Sequence, residues 1–180
     1  MKTYIGLIRG INVGGEGTLP MKKLVALLEN LDLQNVKTHL QSGNLVFQSK
    51  EKNASRLSSK ISAEIKKSQG FEPQVLLLEL EEMEKAAKSN PFPEAESEPK
   101  TLHLNFLASV PLKPDLKTLE SLKRENERFV LKGNVFYLHA PNGVGRSKVA
   151  TNAERLLGVV MTGRNWRTVC AIIAMAKGHN

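Results

Sequence analysis

The sequence predicts an α+β fold in which one order of elements, β-α-β-β-α-β followed by a further helix, occurs twice. Three observations predict it. The spacing of apolar residues switches between strand and helix periods in the same order in the two halves of the chain. A glycine-asparagine pair joins two short apolar runs in each half, at Gly43-Asn44 and again at Gly133-Asn134. A segment rich in proline and glutamate, residues 90–99, separates the halves.

The first half opens with a run of apolar and β-branched residues that predicts a strand, and a glycine-rich loop follows it. Pro20 then opens a helix, because proline suits the first helical position, and an apolar stripe at helical spacing supports this assignment. The predicted strands of this half are residues 3–9, 36–40, 45–48 and 73–78. The predicted helices are about residues 20–31, 53–67 and 79–88.

Residues 90–99 contain three prolines and three glutamates, a composition that holds neither a helix nor a central strand. We therefore predict a linker over residues 91–99, between a first subdomain of residues 1–90 and a basic second subdomain of residues 100–180. The predicted strands of the second half are residues 101–107, 128–131, 135–139 and 159–161. Its predicted helices lie within residues 113–124, 146–157 and 165–177.

The repeated order is that of the split β-α-β, or ferredoxin-like, unit, and it predicts two such subdomains that arose by internal duplication. In this unit the strand order is 4-1-3-2 and neighbouring strands are antiparallel. The end of the first strand therefore meets the hairpin between the second and third strands at one edge of the sheet. In the second half, the segments after the third and fourth strands, residues 141–148 and 162–168, meet at the other edge.

Composition places the chain among ordinary globular proteins, because 41% of its 180 residues are hydrophobic and 24% are charged. No stretch approaches the roughly 20 apolar residues of a membrane-spanning helix, and the N-terminal apolar run is too short for the core of a signal peptide. Cys170 is the only cysteine, which excludes an intrachain disulfide and favours a reducing compartment. We therefore expect a cytoplasmic protein without membrane association.

Basic charge is concentrated in the second half. Residues 1–98 hold 13 Lys or Arg and 13 Asp or Glu, whereas residues 99–180 hold 13 and 5, so the net charge of +8 lies entirely beyond residue 98. From Arg128 to the end there are eight bases and one acid, Glu154. A field of one sign attracts polyanions. The alternative is a basic surface that serves solubility alone.

The segment Arg-Gly-Ile-Asn-Val-Gly-Gly, residues 9–15, is the most informative motif of the first half. It contains no carboxylate, histidine or cysteine, so it suits the binding of an anion rather than proton transfer. Neither the Gly-Lys-Ser/Thr of a phosphate loop nor the third glycine of a dinucleotide fingerprint is present. The alternative is a turn that needs positive φ, next to an ordinary hairpin. The candidate ligand-binding residues of this half are Arg9, Asn12, Gly14, Gly15, Ser42 and Asn44.

Two segments of the second half lead into helix starts and carry bases. A base at a helix N-terminus opposes the helix dipole, and its occurrence at two helices suggests that a bound anion offsets the cost. The alternative is that both are exposed helix starts without a ligand. We expect this cluster and the glycine segment to form one basic cleft between the subdomains. The candidate ligand-binding residues of this half are Arg146, Ser147, Lys148, Arg164, Asn165 and Arg167.

No residue set predicts a catalytic group, a metal site or a cofactor. The histidines lack the spacing of metal ligands, and Ser42 has no neighbouring base that would make it a nucleophile. Trp166 and Cys170 share an apolar face of the last helix, which predicts core packing. The four histidines are His39, His103, His139 and His179.

Four motifs, residues 9–15, 41–44, 145–148 and 162–168, resemble the pattern of a bacterial family catalogued as domain of unknown function 1697. The resemblance covers nearly the whole chain, with the motifs in order. It implies an α+β protein with two ferredoxin-like subdomains, and it implies no established activity.

The sequence thus predicts a protein that binds a phosphate-bearing ligand, and the basic second half favours a nucleotide or a nucleic acid as that ligand. Two alternatives remain open. One is an enzyme acting on a phosphorylated small molecule or a nucleic acid, which would rely on electrostatic stabilisation or a bound metal. The other is a protein-interaction module whose basic face meets an acidic partner.

Overall fold

The computed structural model describes residues 1–15 and 17–178, and within these residues there are eight β-strands and six α-helices. The chain divides into two compact units. One comprises Met1–Lys85 with the chain from Ala171 onward, and the other comprises Ala86–Cys170. These bounds differ from the predicted division at residues 90–99. Each unit carries a four-stranded antiparallel sheet flanked by helices, so the protein belongs to the α+β class.

The first unit has its strands in the order that the sequence predicts. They are β1 (Lys2–Arg9), β2 (Gln34–His39), β3 (Asn44–Ser49) and β4 (Gln74–Leu78). The helices that begin in this unit are α1 (Met21–Glu29), α2 (Ala54–Gln69) and α3 (Leu80–Lys88). The sheet order is β2-β3-β1-β4, and every neighbouring pair is antiparallel.

Local signals set the two ends of helix α2, and an apolar stripe sets the face that it turns to the sheet. The side chain of Asn53 accepts a hydrogen bond from the backbone N–H of Arg56 and so caps the start of the helix. Gly70, in the left-handed conformation with φ of 81°, ends it. Three residues at i, i+4 and i+8 are buried on the side that faces the sheet, and this stripe is the one that the sequence predicts. They are Leu57, Ile61 and Ile65.

The second unit repeats the arrangement. Its strands are β5 (Leu102–Leu107), β6 (Arg128–Lys132), β7 (Val135–His139) and β8 (Met161–Asn165). The helices that begin here are α4 (Leu116–Leu122), α5 (Lys148–Leu157) and α6 (Trp166–Lys177). The sheet order is β6-β7-β5-β8, again with antiparallel neighbours.

The two faces of the second sheet carry different neighbours. Leu119 of α4 and Val149 of α5 pack against Phe136 and Leu138 of β7 in one apolar core. Tyr137 points to the opposite face because successive side chains of a strand alternate. Its hydroxyl donates a hydrogen bond of 2.7 Å to the carbonyl oxygen of Ala86.

The predicted loop over residues 162–168 is wrong for its first part, because residues 162–165 extend the last strand. β8 pairs with β5 from Met161, opposite Leu107, to Asn165, opposite His103. A Cβ built at Gly163 would lie 2.3 Å from Oδ1 of Asn105, so a larger residue there would displace the Asn105 side chain. The predicted strand over residues 159–161 is correspondingly too early. Ladder hydrogen bonds with β5 override the weak strand propensity of glycine.

The segment that we predicted to hold no helix contains a short 3-10 helix, Pro93–Ser97. Proline stands at its start, where its missing N–H is not needed. Phe92 and Ala95 are buried, so the segment packs against its own unit.

Candidate functional site

The glycine segment after β1 lies beside the β2–β3 hairpin, as the predicted topology requires. The backbone N–H of Ile8 donates to the carbonyl oxygen of Gly43 at 2.8 Å. The side-chain amide of Asn12 donates to the carbonyl oxygens of Leu19, at 2.9 Å, and Gln41, at 2.7 Å. Its Oδ1 accepts from the N–H of Leu19 at 2.8 Å. Asn12 thus joins the glycine segment to the hairpin through Gln41 and to the residues before α1 through Leu19, and both N–H groups of its amide are used.

The glycines of this edge fall into two groups. A Cβ at Gly17 would lie 2.4 Å from the carbonyl oxygen of Gly10, and a Cβ at Gly43 would lie 2.8 Å from Cβ of Ile8. By contrast, no atom of residues 1–15 and 17–178 lies within 4 Å of a Cβ built at Gly14 or Gly15, although both have positive φ, of 65° and 82°. Close packing explains why glycine occurs at positions 17 and 43. Gly14 and Gly15 shape an exposed loop, where no described neighbour requires glycine.

Two of the candidate residues close the hairpin. Asn44 is fully buried, and its amide donates to the carbonyl oxygen of His39 at 2.9 Å and to Oγ of Ser42 at 3.0 Å. The turn between His39 and Asn44 contains Leu40, whose φ is 61°. The side chains of Ser42 and Asn44 therefore stabilise the turn. Arg9 and the glycines are the candidate residues that stay exposed at this edge.

In the second unit the structure brings Arg146, Ser147 and Lys148 together at the start of α5. Arg146 ends a one-turn 3-10 helix, Val144–Arg146, and Lys148 is the first helical residue. Ser147 lies between them, is 1% exposed, and accepts a hydrogen bond of 3.1 Å from the N–H of Ala150. Ser147 is therefore the N-cap of α5, while the two bases beside it are exposed.

The start of α6 is capped in the same way. Oδ1 of Asn165 accepts a hydrogen bond of 2.9 Å from the N–H of Thr168. Backbone N–H groups at a helix start can bind an anion, but the N–H groups of Ala150 and Thr168 are already engaged by Ser147 and Asn165. What remains for a ligand at this edge is chiefly the positive charge of the side chains.

Arg164 does not join the bases of α5. It lies on β8 opposite Leu104 of β5, and strand alternation directs it to the face of the sheet opposite Met161 and α5. Its Nη1 donates to the carbonyl oxygen of Gly163 at 2.8 Å. Burial lowers the pKa of Arg164 to about 10, which is consistent with a side chain packed against the sheet rather than extended from its edge.

Three candidate bases, Arg146, Lys148 and Arg167, are exposed, and their side chains form no hydrogen bond or ion pair with the rest of residues 1–15 and 17–178. The ends of β7 and β8, which lead to them, flank β5 at the same edge of the sheet. Two strand spacings, about 10 Å, therefore separate those ends. Glu154, the one acid beyond Arg128, accepts a hydrogen bond from the N–H of Met161 at 3.0 Å.

Sequence reasoning missed a cluster at the same edge of this sheet. Nη2 of Arg128 lies 3.0 Å from Nδ1 of His139 and also contacts the carboxylate of Glu94. The guanidinium stands over the ring of Phe92, with Cζ 4.5 Å from the ring centroid. The pKa of His139 is lowered by burial and by the charge of Arg128. The register of the β6–β7 hairpin pairs Arg128 with His139 and could have revealed that contact. The Glu94 contact has no local signal, because Glu94 and Arg128 are 34 residues apart in the chain.

The structure adds little to the other predicted features. Residues 1–15 and 17–178 contain no group of three His, Cys, Asp or Glu side chains placed to hold a metal ion, and His179 lies outside them. None of the described helices has both the length and the apolar character needed to cross a membrane.

Cys170 is exposed, so its predicted burial is wrong. The buried apolar residues of α6 are Val169, Ile172 and Ala176.

Comparison with known proteins supports the fold and one family. A solved structure described as "conserved bacterial protein SP0830 from Streptococcus pneumoniae" is 25% identical, with a TM-score of 0.67, and the similarity covers 97% of this chain and 98% of that one. No curated protein matches the sequence. A family model matches residues 1–137, which include the motifs at residues 9–15 and 41–44. The chain therefore belongs to the family described as "Protein of unknown function (DUF1697)".

Proposed function

We propose that each unit is a ferredoxin-like subdomain and that the two arose by duplication of one β-α-β-β-α-β unit. The support is that both sheets have the same strand order, β2-β3-β1-β4 and β6-β7-β5-β8. Both also have an all-antiparallel pairing and helices at corresponding points along the chain. A single cysteine and the similar bacterial protein support a cytoplasmic, bacterial setting.

We propose further that the protein binds a phosphate-bearing ligand, a nucleotide or a nucleic acid. One observation carries the proposal: Arg146, Lys148 and Arg167 are exposed and have no partner side chain in residues 1–15 and 17–178. They lie in a stretch of the chain with eight bases and one acid. Elsewhere in the same unit, Arg128 has its carboxylate partner, Glu94.

The arrangement suits electrostatic capture rather than chemistry. Lys148 opens α5, where the dipole of the helix repels a cation, and a phosphate beside it would offset that repulsion. Ser147 already caps the helix, so a ligand would be held mainly by the two flanking side chains and by Arg167. Contacts of this kind give affinity that falls steeply with salt, as phosphate contacts do.

Fluorescence anisotropy with a labelled single-stranded oligonucleotide and with a labelled nucleotide tests the proposal. The double variant Arg146→Ala/Lys148→Ala should weaken oligonucleotide binding roughly tenfold at 0.1 M salt. The plot of log K against log salt should also become less steep, by about 1.4 for two lost phosphate contacts. The matched control is Lys113→Ala/Lys117→Ala, which removes two exposed bases near the opposite edge of the same sheet. Equal losses in the two variants, or no binding by the wild type, would reject the proposal.

A further inference from the structure

Leu40, at the tip of the β2–β3 hairpin, has a conformation that does not suit its side chain. Its φ is 61°, in the left-handed region that disfavours bulky residues. The other non-glycine residues with positive φ among those described are asparagine or aspartate, which tolerate it. They are Asn12, Asp32 and Asn35. Leu40 is also 60% exposed, so burial does not offset the strain.

A second exposed apolar side chain lies on the loop that is hydrogen-bonded to the hairpin turn. Val13, in the glycine segment, is 67% exposed. Asn12 donates to the carbonyl oxygen of Gln41, so Val13 and Leu40 flank a hydrogen bond that joins the two loops. The two apolar side chains are thus presented by loops that are already fastened together, and binding there would cost little ordering of the backbone.

Exposed bases occur on the elements that the glycine segment connects. Arg9 is exposed at the end of β1, and Lys22 and Lys23 are exposed in the first turn of α1. Glu16 is the acid of the glycine loop. Glu72, which precedes β4 at the same edge, is paired with a lysine of α2. An apolar pair among bases fits a ligand with a flat apolar group attached to an anion.

We propose that Val13 and Leu40 contact the base of a nucleotide unit whose phosphate lies over Gly14 and Gly15, near Arg9. This inference rests on the proposed binding of a phosphate-bearing ligand and names the chemical groups that the loops of the first unit would contact. The open space around both glycines allows a phosphate to approach their backbone. The strain at Leu40 is then retained for contact with the ligand rather than for folding.

The test uses Leu40→Asn, because asparagine adopts the left-handed conformation readily and removes the apolar surface. We expect the melting temperature to rise by roughly 2–4 °C and the dissociation constant for a labelled oligonucleotide to increase about tenfold. Val13→Ser should weaken binding in the same direction. The matched control is Leu112→Asn in the second unit, where an exposed leucine should be replaced without effect on binding.

The outcomes separate this inference from the proposed function. If the wild type binds oligonucleotides and nucleotides, loses affinity in Arg146→Ala/Lys148→Ala, and keeps it in Leu40→Asn and Val13→Ser, the inference is overturned while the function stands. If the wild type binds neither ligand, both are rejected. A fall in melting temperature for Leu40→Asn would assign Leu40 to folding. Binding to phosphatidylglycerol vesicles but not to oligonucleotides, lost in Leu40→Asn, would assign the surface to lipid and also overturn the inference.

Discussion

The two polar edges have similar compositions and opposite constructions. In the first unit, glycines shape an exposed loop and the side chain of Asn12 fastens it, and no side chain of residues 1–15 and 17–178 caps α1, which begins after Pro20. In the second unit, the small polar residues Ser147 and Asn165 cap helices, and the bases beside them extend into solvent. Glycine, arginine and asparagine in a motif therefore do not by themselves indicate a shared role.

The same contrast appears where the first helix of each unit begins. The β1–α1 loop of the first unit is rich in glycine, whereas the corresponding β5–α4 loop of the second contains Pro111 and Pro114 and exposes Leu112. Backbone hydrogen bonds hold that second loop, from Ala108 to Val160 and from Asp115 to Leu156. The two units share a framework and differ in their loops, which is where binding residues are usually carried.

The largest effect should come from the glycines of the first edge, compared with each other. Gly43→Ala should reduce the free energy of unfolding by more than about 3 kcal/mol, because positive φ and a Cβ contact of 2.8 Å with Ile8 act together. Gly14→Ala, with similar φ but open space, should cost about 1 kcal/mol. Urea unfolding measures both. Similar losses at the two positions would contradict the division between packing glycines and loop glycines.

A smaller effect tests whether the second edge is built on caps. Ser147→Ala should lower the free energy of unfolding by about 1–2 kcal/mol, because it leaves the N–H of Ala150 without its buried acceptor. Asn53→Ala, at the more exposed cap of α2, should cost about 1 kcal/mol. Ser147→Thr keeps a hydroxyl and serves as the control. If Ser147→Ala were neutral in urea unfolding, Ser147 would be available to a ligand rather than engaged as a cap.

Sequence reasoning reached the class, the strand order and the meeting of the glycine segment with the hairpin, because all three follow from apolar spacing and chain order. It failed where the deciding partner is distant in sequence. β8 includes Gly163 because β5 pairs with it, and this pairing turns Arg164 to the other face of the sheet. Capping by Ser147 could have been predicted from the sequence, since serine before a helix is a common cap. The contact of Arg128 with Glu94 could not have been predicted, because the two residues are 34 positions apart in the chain.

The smallest predicted effect concerns pH at the second edge. Arginine can only donate, so Nδ1 of His139 must be an unprotonated acceptor in its contact with Arg128. Burial and the charge of Arg128 lower the pKa of His139 in the folded state, although Glu94 and Glu98 act in the opposite direction. The unfolded chain therefore binds the proton more readily, and stability falls as pH drops below 6.5, the ordinary pKa, until it levels off below the folded pKa.

His139→Asn keeps an acceptor close to the position of Nδ1 and removes the titration. When the pH is lowered from 7.5 to 5.5, the melting temperature of the wild type should therefore fall further than that of the variant. Some loss should persist in the variant, because burial also lowers the pKa of His103. Melting curves followed by circular dichroism at the two pH values measure the difference. Parallel losses in the wild type and in His139→Asn would mean that the Arg128 contact does not hold His139 in its neutral form, and that this edge differs from the first only in its caps and exposed bases.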